Sequence, residues 1–404
     1  MHQNFPGQFL RLAPALAERG HDICALTDEG NQRASPILTH RYRSPPPRPD
    51  PAQSRFGTTF AEMTDRAHRV ARAALTLRDR HGYRPDVIFG HGGWGETLFL
   101  REVWPEARLL VYAELYYAAR GLDVGFDPEF ASDAPERAFN VVARQGHHAL
   151  MMAQADAALS PTEFQADSFP SCFRDKISII HDGIDTDLLR PDPTARVLLP
   201  TGAAFSAGDE VLSFVARNLE PYRGYHSFMR ALPEIMRARP KAQVVIVGGD
   251  GASYGPKPAA GRSWKDIFLE EVQGRLEMRR VHFTGRLPYG AFVQLMQVTR
   301  VHCYLTVPFV LSWSVLEAMS AGALVVGSRT APVEEMISDG VNGRLVGFLD
   351  TGEIAEVVTE ALADSAAHMP LREAARAHVH ENYDLRRLCL PRLVDFVEGR
   401  GVAG

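Results

Sequence analysis

The sequence has little cysteine and no long apolar run. Its four cysteines lie far apart and form no CxxC pair, so neither a disulfide scaffold nor a cysteine zinc site is indicated. No apolar stretch approaches the roughly 20 residues that a bilayer-spanning helix needs, and the first residues carry no charged-then-apolar leader pattern. We therefore expect a cytoplasmic protein whose membrane association, if any, is peripheral to the inner face of the membrane.

The chain also has no excess of basic residues. The 44 Lys and Arg residues are outnumbered by 49 Asp and Glu residues, a formal net charge of −5, which argues against a protein that coats nucleic acid. One locally basic region runs from residue 40 to residue 84 and contains Arg66, Arg69 and Arg72 at a spacing of three on a predicted helix. We interpret it as solvated surface, with contact to an anionic acceptor or to anionic lipid headgroups as the alternative.

Several catalytic signatures are missing as well. The chain contains no GxSxG, no GxxxxGK[ST] and no HExxH. Asp185 and Asp187 form a DxD, but they follow the last predicted strand of the first half, where turning the chain is the better interpretation. We therefore predict no metal site and no bound cofactor.

The apolar pattern predicts an α/β protein with two domains. Its 404 residues are about twice the usual length of one domain. Short runs of Val, Ile and Leu alternate with longer segments of helical periodicity, which is typical of βαβ units and parallel sheets. The predicted strands are residues 23–27, 86–90, 109–113, 157–160 and 177–180 in the first half, and 211–216, 243–247, 281–284, 301–305 and 324–327 in the second.

Composition places the domain boundary in a segment rich in proline and glycine. We predict a first domain over residues 1–190, a linker over 191–208, a second domain over 209–384 and a last helix over 385–404. The chain opens directly on a turn and a helical pattern, whereas a sheet of this type begins with an apolar strand. The first domain is therefore expected to lack its first strand.

Two arginines and a glutamate follow the strand predicted at 211–216. Arg217, Glu220 and Arg223 would lie at the carboxyl end of that strand, where open α/β sheets bind ligands. A guanidinium offers a planar fork of donors to phosphate oxygens, and two of them can offset the charge of a departing diphosphate. The alternative is a surface loop with an incidental ion pair.

A second candidate is the start of the helix that contains Glu317. Ser312, Trp313 and Ser314 lie at this start, where unpaired backbone N–H groups and the helix dipole could hold the same diphosphate. Ser314 and Glu317 also fit a capping box, in which the two side chains satisfy each other's backbone donors and need no ligand.

The first half offers a donor-side turn, one catalytic candidate and three acceptor-side candidates. Pro6 and Gly7 form a turn before a helix, where the backbone could approach a sugar or phosphate. Glu114 ends the strand predicted at 109–113, and a carboxylate there could contact an acceptor hydroxyl, although such polar residues are often structural. The turn after the neighbouring strand carries His91, Trp94 and Glu96.

Taken together, these segments resemble glycosyltransferase family 4, a retaining family with the GT-B fold. The segments that carry the resemblance are HQNFPGQF, SPTEFQADSFP, IIHDGIDTD, ARNLEPYRG, VHFTGRLP and LEAMSAGALVVG, in this order along nearly the whole chain. The resemblance implies two Rossmann-like domains facing an interdomain cleft, with the donor held mainly by the second and the acceptor by the first. It also implies a C-terminal helix that crosses back to the first domain.

The resemblance also implies roles for single residues. Arg217 would contact the donor diphosphate, Arg223 would take the position of the family's lysine, and Glu220 would match a glutamate of the same loop. Glu317 would hold the ribose. Further positions implied by the resemblance are Gly285, Arg286 and Leu287 near the nucleobase, and Pro6 and Gly7 near the transferred sugar.

Two positions depart from the family pattern. Phe309 stands where the family has the first glutamate of a pair, which normally contacts hydroxyls of the donor sugar, and Glu114 stands in place of a common histidine. These departures could define a subgroup with another acceptor geometry or mark lost activity.

The predicted function is metal-independent, retaining transfer of a sugar from a UDP or GDP sugar to an acceptor hydroxyl. The acceptor would be a carbohydrate or glycolipid, and the departing phosphate would take the proton of its hydroxyl group. The reaction would belong to polysaccharide, glycolipid or glycoconjugate biosynthesis. Two alternatives stay open. One is a catalytically inactive protein that binds nucleotide sugars, which Phe309 suggests, and the other is a nucleotide-sugar epimerase of GT-B fold.

Overall fold

The computed structural model describes residues 1–44, 54 and 56–400, and the chain divides into two compact units. The first contains Met1–Val124, Ser132–Gly183 and the segment that begins at Arg386. The second contains Gly125–Ala131 and Ile184–Leu385. Each unit is built on parallel strands with helices between them, as the alternating pattern predicted.

The first unit has six strands in two parallel groups. The strands are β1 (Cys24–Asp28) paired with β2 (Leu38–Tyr42), and a sheet of β3 (Val87–His91), β4 (Arg108–Tyr112), β5 (Ala157–Ser160) and β6 (Ile177–Ile179) in that order. Helices cover the sheet, so Leu26, Ile88, Leu109, Leu110, Val111, Leu159 and Ile177 of these strands are buried, whereas Leu38 of β2 is exposed. The five strands predicted for this half are confirmed to within a residue or two, and β2 was missed.

The backbone of Met1–Gln3 lies between β1 and β3. His2 N donates to Leu26 O at 3.3 Å, Asp28 N donates to Gln3 O at 3.3 Å, and His91 N donates to Met1 O at 3.2 Å. These three residues join the two strand groups at the position where the sequence predicted that a strand is lacking.

Six helices belong to the first unit. They are α1 (Leu12–Glu18), α2 (Thr58–His81), α3 (Leu100–Val103), α4 (Pro135–Gln154), α5 (Glu163–Asp167) and the last helix, Leu390–Glu398. The last helix packs on α1, and its Glu398 accepts hydrogen bonds from Arg19 at 3.0 and 3.1 Å. Its Phe396 joins the core around Phe9 and Phe89.

The basic residues of α2 are only partly solvated. Arg72 is exposed, whereas Arg66 and Arg69 are half-buried and Arg66 donates to the carbonyl of Trp94 at 3.2 Å. The interpretation as solvated surface therefore holds for Arg72 and is wrong for Arg66. Residues 45–53 and 55 of the same basic region lie outside the described residues.

The second unit contains a six-stranded parallel sheet with the Rossmann strand order. Its strands, from edge to edge, are β11 (Val281–Gly285), β10 (Gln243–Gly249), β9 (Val211–Asn218), β12 (Val301–Tyr304), β13 (Leu324–Ser328) and β14 (Arg344–Val346). The strand order reverses between β9 and β12, so the loops that leave these two strands diverge. Ligands of such sheets bind at the carboxyl ends of the strands at this switch point.

Seven helices cover this sheet. They are α6 (Tyr225–Ala238), α7 (Trp264–Val272), α8 (Tyr289–Val298), α9 (Ser314–Ala321), α10 (Ala331–Glu334), α11 (Thr351–Ala363) and α12 (Met369–Asn382). Residues 191–208, predicted as a linker, hold an antiparallel hairpin of β7 (Arg196–Leu198) and β8 (Ala204–Ser206). Val197 and Phe205 of this hairpin are buried in the core of the second unit.

The segment Gly125–Ala131 also packs in the second unit. Glu129 pairs with Arg230 through two hydrogen bonds of 2.6 and 2.8 Å, and the ring of Phe130 lies 5.3 Å from that of Trp264. These contacts join residues more than a hundred positions apart, and no sequence pattern predicted them.

Among the described residues, none of the helices combines the length and apolar character that crossing a bilayer would require. In the same part of the chain, no group of three or more His, Cys, Asp or Glu side chains is placed to hold a metal ion.

Candidate active site

Arg217 and Arg223 lie at the switch point of the second sheet. Arg217 is the exposed penultimate residue of β9, and Arg223 ends the 3-10 turn that follows. Arg223 is 7% exposed, and its Nη1 donates to Thr306 Oγ1 at 2.9 Å and to Val310 O at 2.8 Å. These bonds tie the loop after β9 to the loop after β12, so the two diverging loops carry one site.

Glu220 does not form the ion pair that the alternative interpretation required. It is fully buried, and its Oε2 accepts three successive backbone N–H groups, from Ser253 at 3.0 Å, Tyr254 at 3.2 Å and Gly255 at 3.4 Å. No carboxylate of the described residues pairs with Arg217 or Arg223. The interpretation of this loop as a surface loop with an incidental ion pair is therefore wrong.

An aromatic cluster surrounds the two guanidinium groups. The Cζ atoms of Arg217 and Arg223 lie 5.8 and 5.4 Å from the centre of the Tyr254 ring, and Arg223 lies 5.6 Å from that of Phe309. Phe309 itself is buried beneath Tyr254 and Tyr222, with ring centres at 4.9 and 5.7 Å. An apolar side chain therefore fills the position where the resemblance implied a glutamate.

The start of α9 is not closed by the predicted capping box. Trp313 is the residue before the helix and makes no side-chain cap, and the side chain of Glu317 accepts a hydrogen bond from the Tyr289 hydroxyl at 2.9 Å instead. Ser314 N lies 3.4 Å from Ser312 Oγ, and Ser312 N donates to the Tyr304 hydroxyl at 2.7 Å. The capping-box alternative is wrong because Glu317 faces α8 rather than the helix start.

Glu317 is a buried carboxyl group, and no cationic side chain among the described residues pairs with it. Burial raises its pKa from 4.5 to about 7, although the hydrogen bond from Tyr289 acts in the opposite direction. Hydroxyl donors from a ligand would stabilise its charged form. A buried acid with so strongly raised a pKa is a typical feature of a functional site.

The nucleobase candidates lie at the end of β11, two strands from β9. Gly285 and Arg286 are exposed, and Leu287 packs on the core of the unit. A methyl group built on Gly249 would approach Arg286 Nε to 3.5 Å, so Arg286 lies beside the end of β10.

The first unit brings His91, Glu114 and the turn at Gly7 together. The amide of Gln8 donates to Glu114 Oε1 at 3.2 Å, and His91 Nε2 lies 3.5 Å from Glu114 Oε2. His91 Nδ1 accepts the N–H of Gly93 at 3.1 Å, so a neutral His91 carries its proton on Nε2, facing Glu114. Pro6 is the residue before the 3-10 turn Gly7–Phe9.

Trp94 and Glu96 have different surroundings. The Trp94 ring stacks on His91 with centres 5.9 Å apart. Glu96 is fully buried, its Oε1 accepts the Tyr42 hydroxyl at 2.6 Å, and burial raises its pKa. Trp94 thus lies beside His91, whereas Glu96 has no exposed surface with which to touch an acceptor.

Models of two known protein families match the chain, one in each half. Residues 19–189 match the model of "Glycosyl transferase family 4 group", and residues 203–378 match that of "Glycosyl transferases group 1". The chain belongs to the glycosyltransferases.

Individual relatives of this glycosyltransferase are distant. A glycogen synthase of Mycobacterium tuberculosis strain H37Rv is 25% identical over 398 residues, covering 92% of this chain and 86% of the relative. A GDP-mannose-dependent alpha-(1-6)-phosphatidylinositol monomannoside mannosyltransferase of Mycolicibacterium smegmatis is 27% identical over 259 residues, covering 61% and 63%. A solved sucrose-phosphate synthase from Thermosynechococcus elongatus has a TM-score of 0.72 at 18% identity, covering 99% and 96%. The predicted GT-B fold is confirmed.

Four side chains of the glycosyltransferase site were missed from the sequence. Tyr254, Tyr289 and Thr306 contact candidate residues of the second unit, and Gln8 contacts Glu114 in the first. Tyr254 follows β10, the strand next to β9, so its place after a Rossmann strand was a usable signal. The other three contacts depend on side-chain directions that periodicity does not report.

Gly224 shapes the arginine loop, and its replacement by alanine is expected to destabilise the glycosyltransferase. Its φ is +64°, and an added Cβ would lie 2.3 Å from Leu305 Cβ. Left-handed strain and overpacking together predict a loss of about 2 to 4 kcal/mol in the free energy of unfolding, measured in urea. Gly202→Ala is the control, because Gly202 has φ +85° and no neighbouring atom within 4 Å. Equal losses in both variants would show that the contact with Leu305 is unimportant.

Proposed function

We propose that this chain is a retaining, metal-independent glycosyltransferase that moves a sugar from a UDP or GDP sugar to an acceptor hydroxyl. The observation that carries the proposal is the arginine pair at the switch point. Arg217 and Arg223 contact one aromatic ring, Arg223 is more than nine-tenths buried, and no carboxylate of the described residues pairs with either. Because a buried charge is stable only with a partner, a dianionic diphosphate is the ligand that fits.

The donor would extend from this pair in two directions. The N–H groups at Ser314, the start of α9, would add donors to the diphosphate, and the charged form of Glu317 would accept hydrogen bonds from the ribose hydroxyls. The nucleobase would rest against residues 285–287. Glu220 would support this site without contacting the donor, since its carboxylate accepts backbone N–H groups of the protein.

The reaction would proceed on one face of the sugar. The bond from the anomeric carbon to the diphosphate oxygen breaks, the bond to the acceptor oxygen forms, and the acceptor proton passes to the departing phosphate. Arg217 and Arg223 would stabilise the charge that develops on the leaving diphosphate. No metal-bound group is required at any step of this scheme.

The acceptor would be a carbohydrate or a glycolipid. Glu114, with the amide of Gln8 on one oxygen and His91 beside the other, would accept a hydrogen bond from an acceptor hydroxyl. Two of the relatives, a glycogen synthase and a phosphatidylinositol monomannoside mannosyltransferase, support this class of acceptor. We propose a role in polysaccharide, glycolipid or glycoconjugate biosynthesis, in the cytoplasm, with peripheral contact to the membrane if the acceptor is a lipid.

One observation favours a second candidate. The buried Phe309 cannot hydrogen-bond a sugar hydroxyl, which would suit a protein that binds nucleotide sugars without transferring them. Release of free nucleoside diphosphate from a bound donor distinguishes the enzyme from this binding protein. Conversion of the donor into a different nucleotide sugar without an acceptor would instead indicate an epimerase.

Thermal unfolding with a panel of nucleotides tests the proposed donor. We expect either UDP or GDP, with its sugars, to stabilise the protein, by about 2.7 kcal/mol at a ligand concentration 100 times Kd. Adenosine diphosphate and inorganic pyrophosphate serve as controls for the base and for charge alone. The proposed donor class would be overturned if every nucleotide stabilised the protein equally, or if none stabilised it.

The anomeric configuration of the product, determined by NMR, tests whether the transfer retains the configuration of the donor sugar.

A further inference from the structure

Tyr254 lies against both guanidinium groups of the second unit. Its ring centre is 5.8 Å from Arg217 Cζ, 5.4 Å from Arg223 Cζ and 4.9 Å from the ring centre of Phe309. The face of an aromatic ring is electronegative, so it attracts a nearby cation. Tyr254 is thus the shared neighbour of two like charges that would otherwise repel each other.

The chain holds Tyr254 in this position by an unusual set of bonds. Glu220 accepts the backbone N–H groups of Ser253, Tyr254 and Gly255, and Asn218 Nδ2 donates to Ser253 Oγ at 2.5 Å. Gly255 packs so closely on Tyr222 that an added Cβ would lie 2.8 Å from Tyr222 Cδ2. Three residues of the loop that carries the arginines therefore fix the loop that carries the ring.

We propose that Tyr254 is a positioning residue of the donor site. Its ring holds Arg217 and Arg223 in the orientation that receives the diphosphate, and Glu220 acts through the ring by holding its backbone. This inference rests on the proposed function, since it takes the diphosphate as the ligand of the arginine pair. It also accounts for a buried glutamate between two arginines that bonds to neither of them.

The ring itself, rather than the hydroxyl, carries this role. The structure shows no hydrogen bond from the Tyr254 hydroxyl to a described residue, and the ring is half-buried at the surface of the unit, outside its apolar core. Tyr254→Phe therefore keeps the aromatic ring that faces the two guanidinium groups. Tyr254→Leu keeps much of the packing on Phe309 but removes the electronegative face, which makes the two variants a matched pair.

The experiment measures Kd by calorimetry for a nucleoside monophosphate and the matching diphosphate, uridine or guanosine, whichever the protein binds. For Tyr254→Leu we expect diphosphate affinity to fall about tenfold and monophosphate affinity less than threefold. For Tyr254→Phe both should stay within twofold of the unmodified protein. The proposal would be overturned if Tyr254→Leu weakened the binding of both nucleotides equally or of neither. It would also be overturned if Tyr254→Phe lost as much diphosphate affinity as Tyr254→Leu. The melting temperature of each variant shows that it is folded.

Two further variants separate the possible failures. If Arg217→Ala leaves diphosphate affinity unchanged, the proposed function fails; if it weakens that affinity while Tyr254→Leu does not, only the present inference fails. Glu220→Gln tests the link between glutamate and ring. Because Glu220 acts through Tyr254, its effect on diphosphate affinity should largely disappear in the Tyr254→Leu background, and additive effects would contradict that link.

Discussion

Arg217→Ala is expected to lower turnover by about 100-fold or more, as is typical when one preorganised donor to a developing negative charge is removed. Arg217 is exposed and makes no ion pair with a described residue, so its loss should leave the fold intact. The measurement is kcat with the donor identified by thermal unfolding, followed as release of nucleoside diphosphate. The effect should fall on kcat more than on KM, since the charge on the diphosphate grows in the transition state.

Arg237→Ala is the matched control for this variant. Arg237 is also an exposed arginine of the second unit, 3.5 Å from Glu234 on the same helix, and it lies on α6 away from the switch point. Its replacement should leave kcat within twofold. If the turnover of Arg217→Ala were close to that of the unmodified enzyme, the assignment of the diphosphate to this site would be wrong.

Glu317→Gln is expected to stabilise the unliganded protein at high pH. Because burial raises the pKa of Glu317 to about 7 from 4.5, the folded state favours the protonated carboxyl, and stability falls as the pH rises from about 4.5 to about 7. Glutamine stays neutral and can still accept the hydrogen bond from Tyr289. At pH 8 the free energy of unfolding should exceed that of the unmodified protein by up to about 3 kcal/mol, and at pH 4 the two should agree closely.

Urea unfolding at pH 4, 6 and 8, followed by a probe in the second unit, measures this difference. Glu234→Gln, an exposed site on α6, is the control and should show no such trend. A difference that is constant over this range would mean that folding does not shift the pKa of Glu317, and would contradict the raised pKa. Nucleoside affinity adds a second readout, because it should rise between pH 6 and pH 8 in the unmodified protein and not in Glu317→Gln if the carboxylate holds the ribose.

Most strands of the second unit could be predicted because each is encoded by a short, continuous stretch of the sequence. The runs at β9 to β13 are continuous and apolar since both faces of a parallel sheet are covered. Arginines at and just beyond the end of the run at β9 must then lie at the carboxyl end of the strand. The same logic located Glu114 after β4 and His91 at the end of β3. Phe309 was assigned from its distance to Glu317 in the family pattern, and the structure places it beside Arg223.

The features that were missed depend on contacts distant in sequence. The strand β2 has alternating, partly polar residues and exists through its pairing with β1. The hairpin of β7 and β8 lies in a segment whose prolines and glycines indicated a linker, yet Val197 and Phe205 bury it. The serine and glutamate at the start of α9 fit a local cap, but Tyr289 on another helix engages the glutamate. In each case tertiary packing overrides a local preference.

The assignment of Gly125–Ala131 to the second unit has a consequence for how the molecule could be divided. The chain passes from one unit to the other four times, after residues 124, 131, 183 and 385. A fragment that starts at Ile184 would lose Glu129 and Phe130 and leave Arg230 and Trp264 without their partners, and a fragment that stops at Gly183 would lose the helix that covers α1. During synthesis the second unit can therefore be completed only after residue 385 has been added, and the first only after the helix Leu390–Glu398 has followed it.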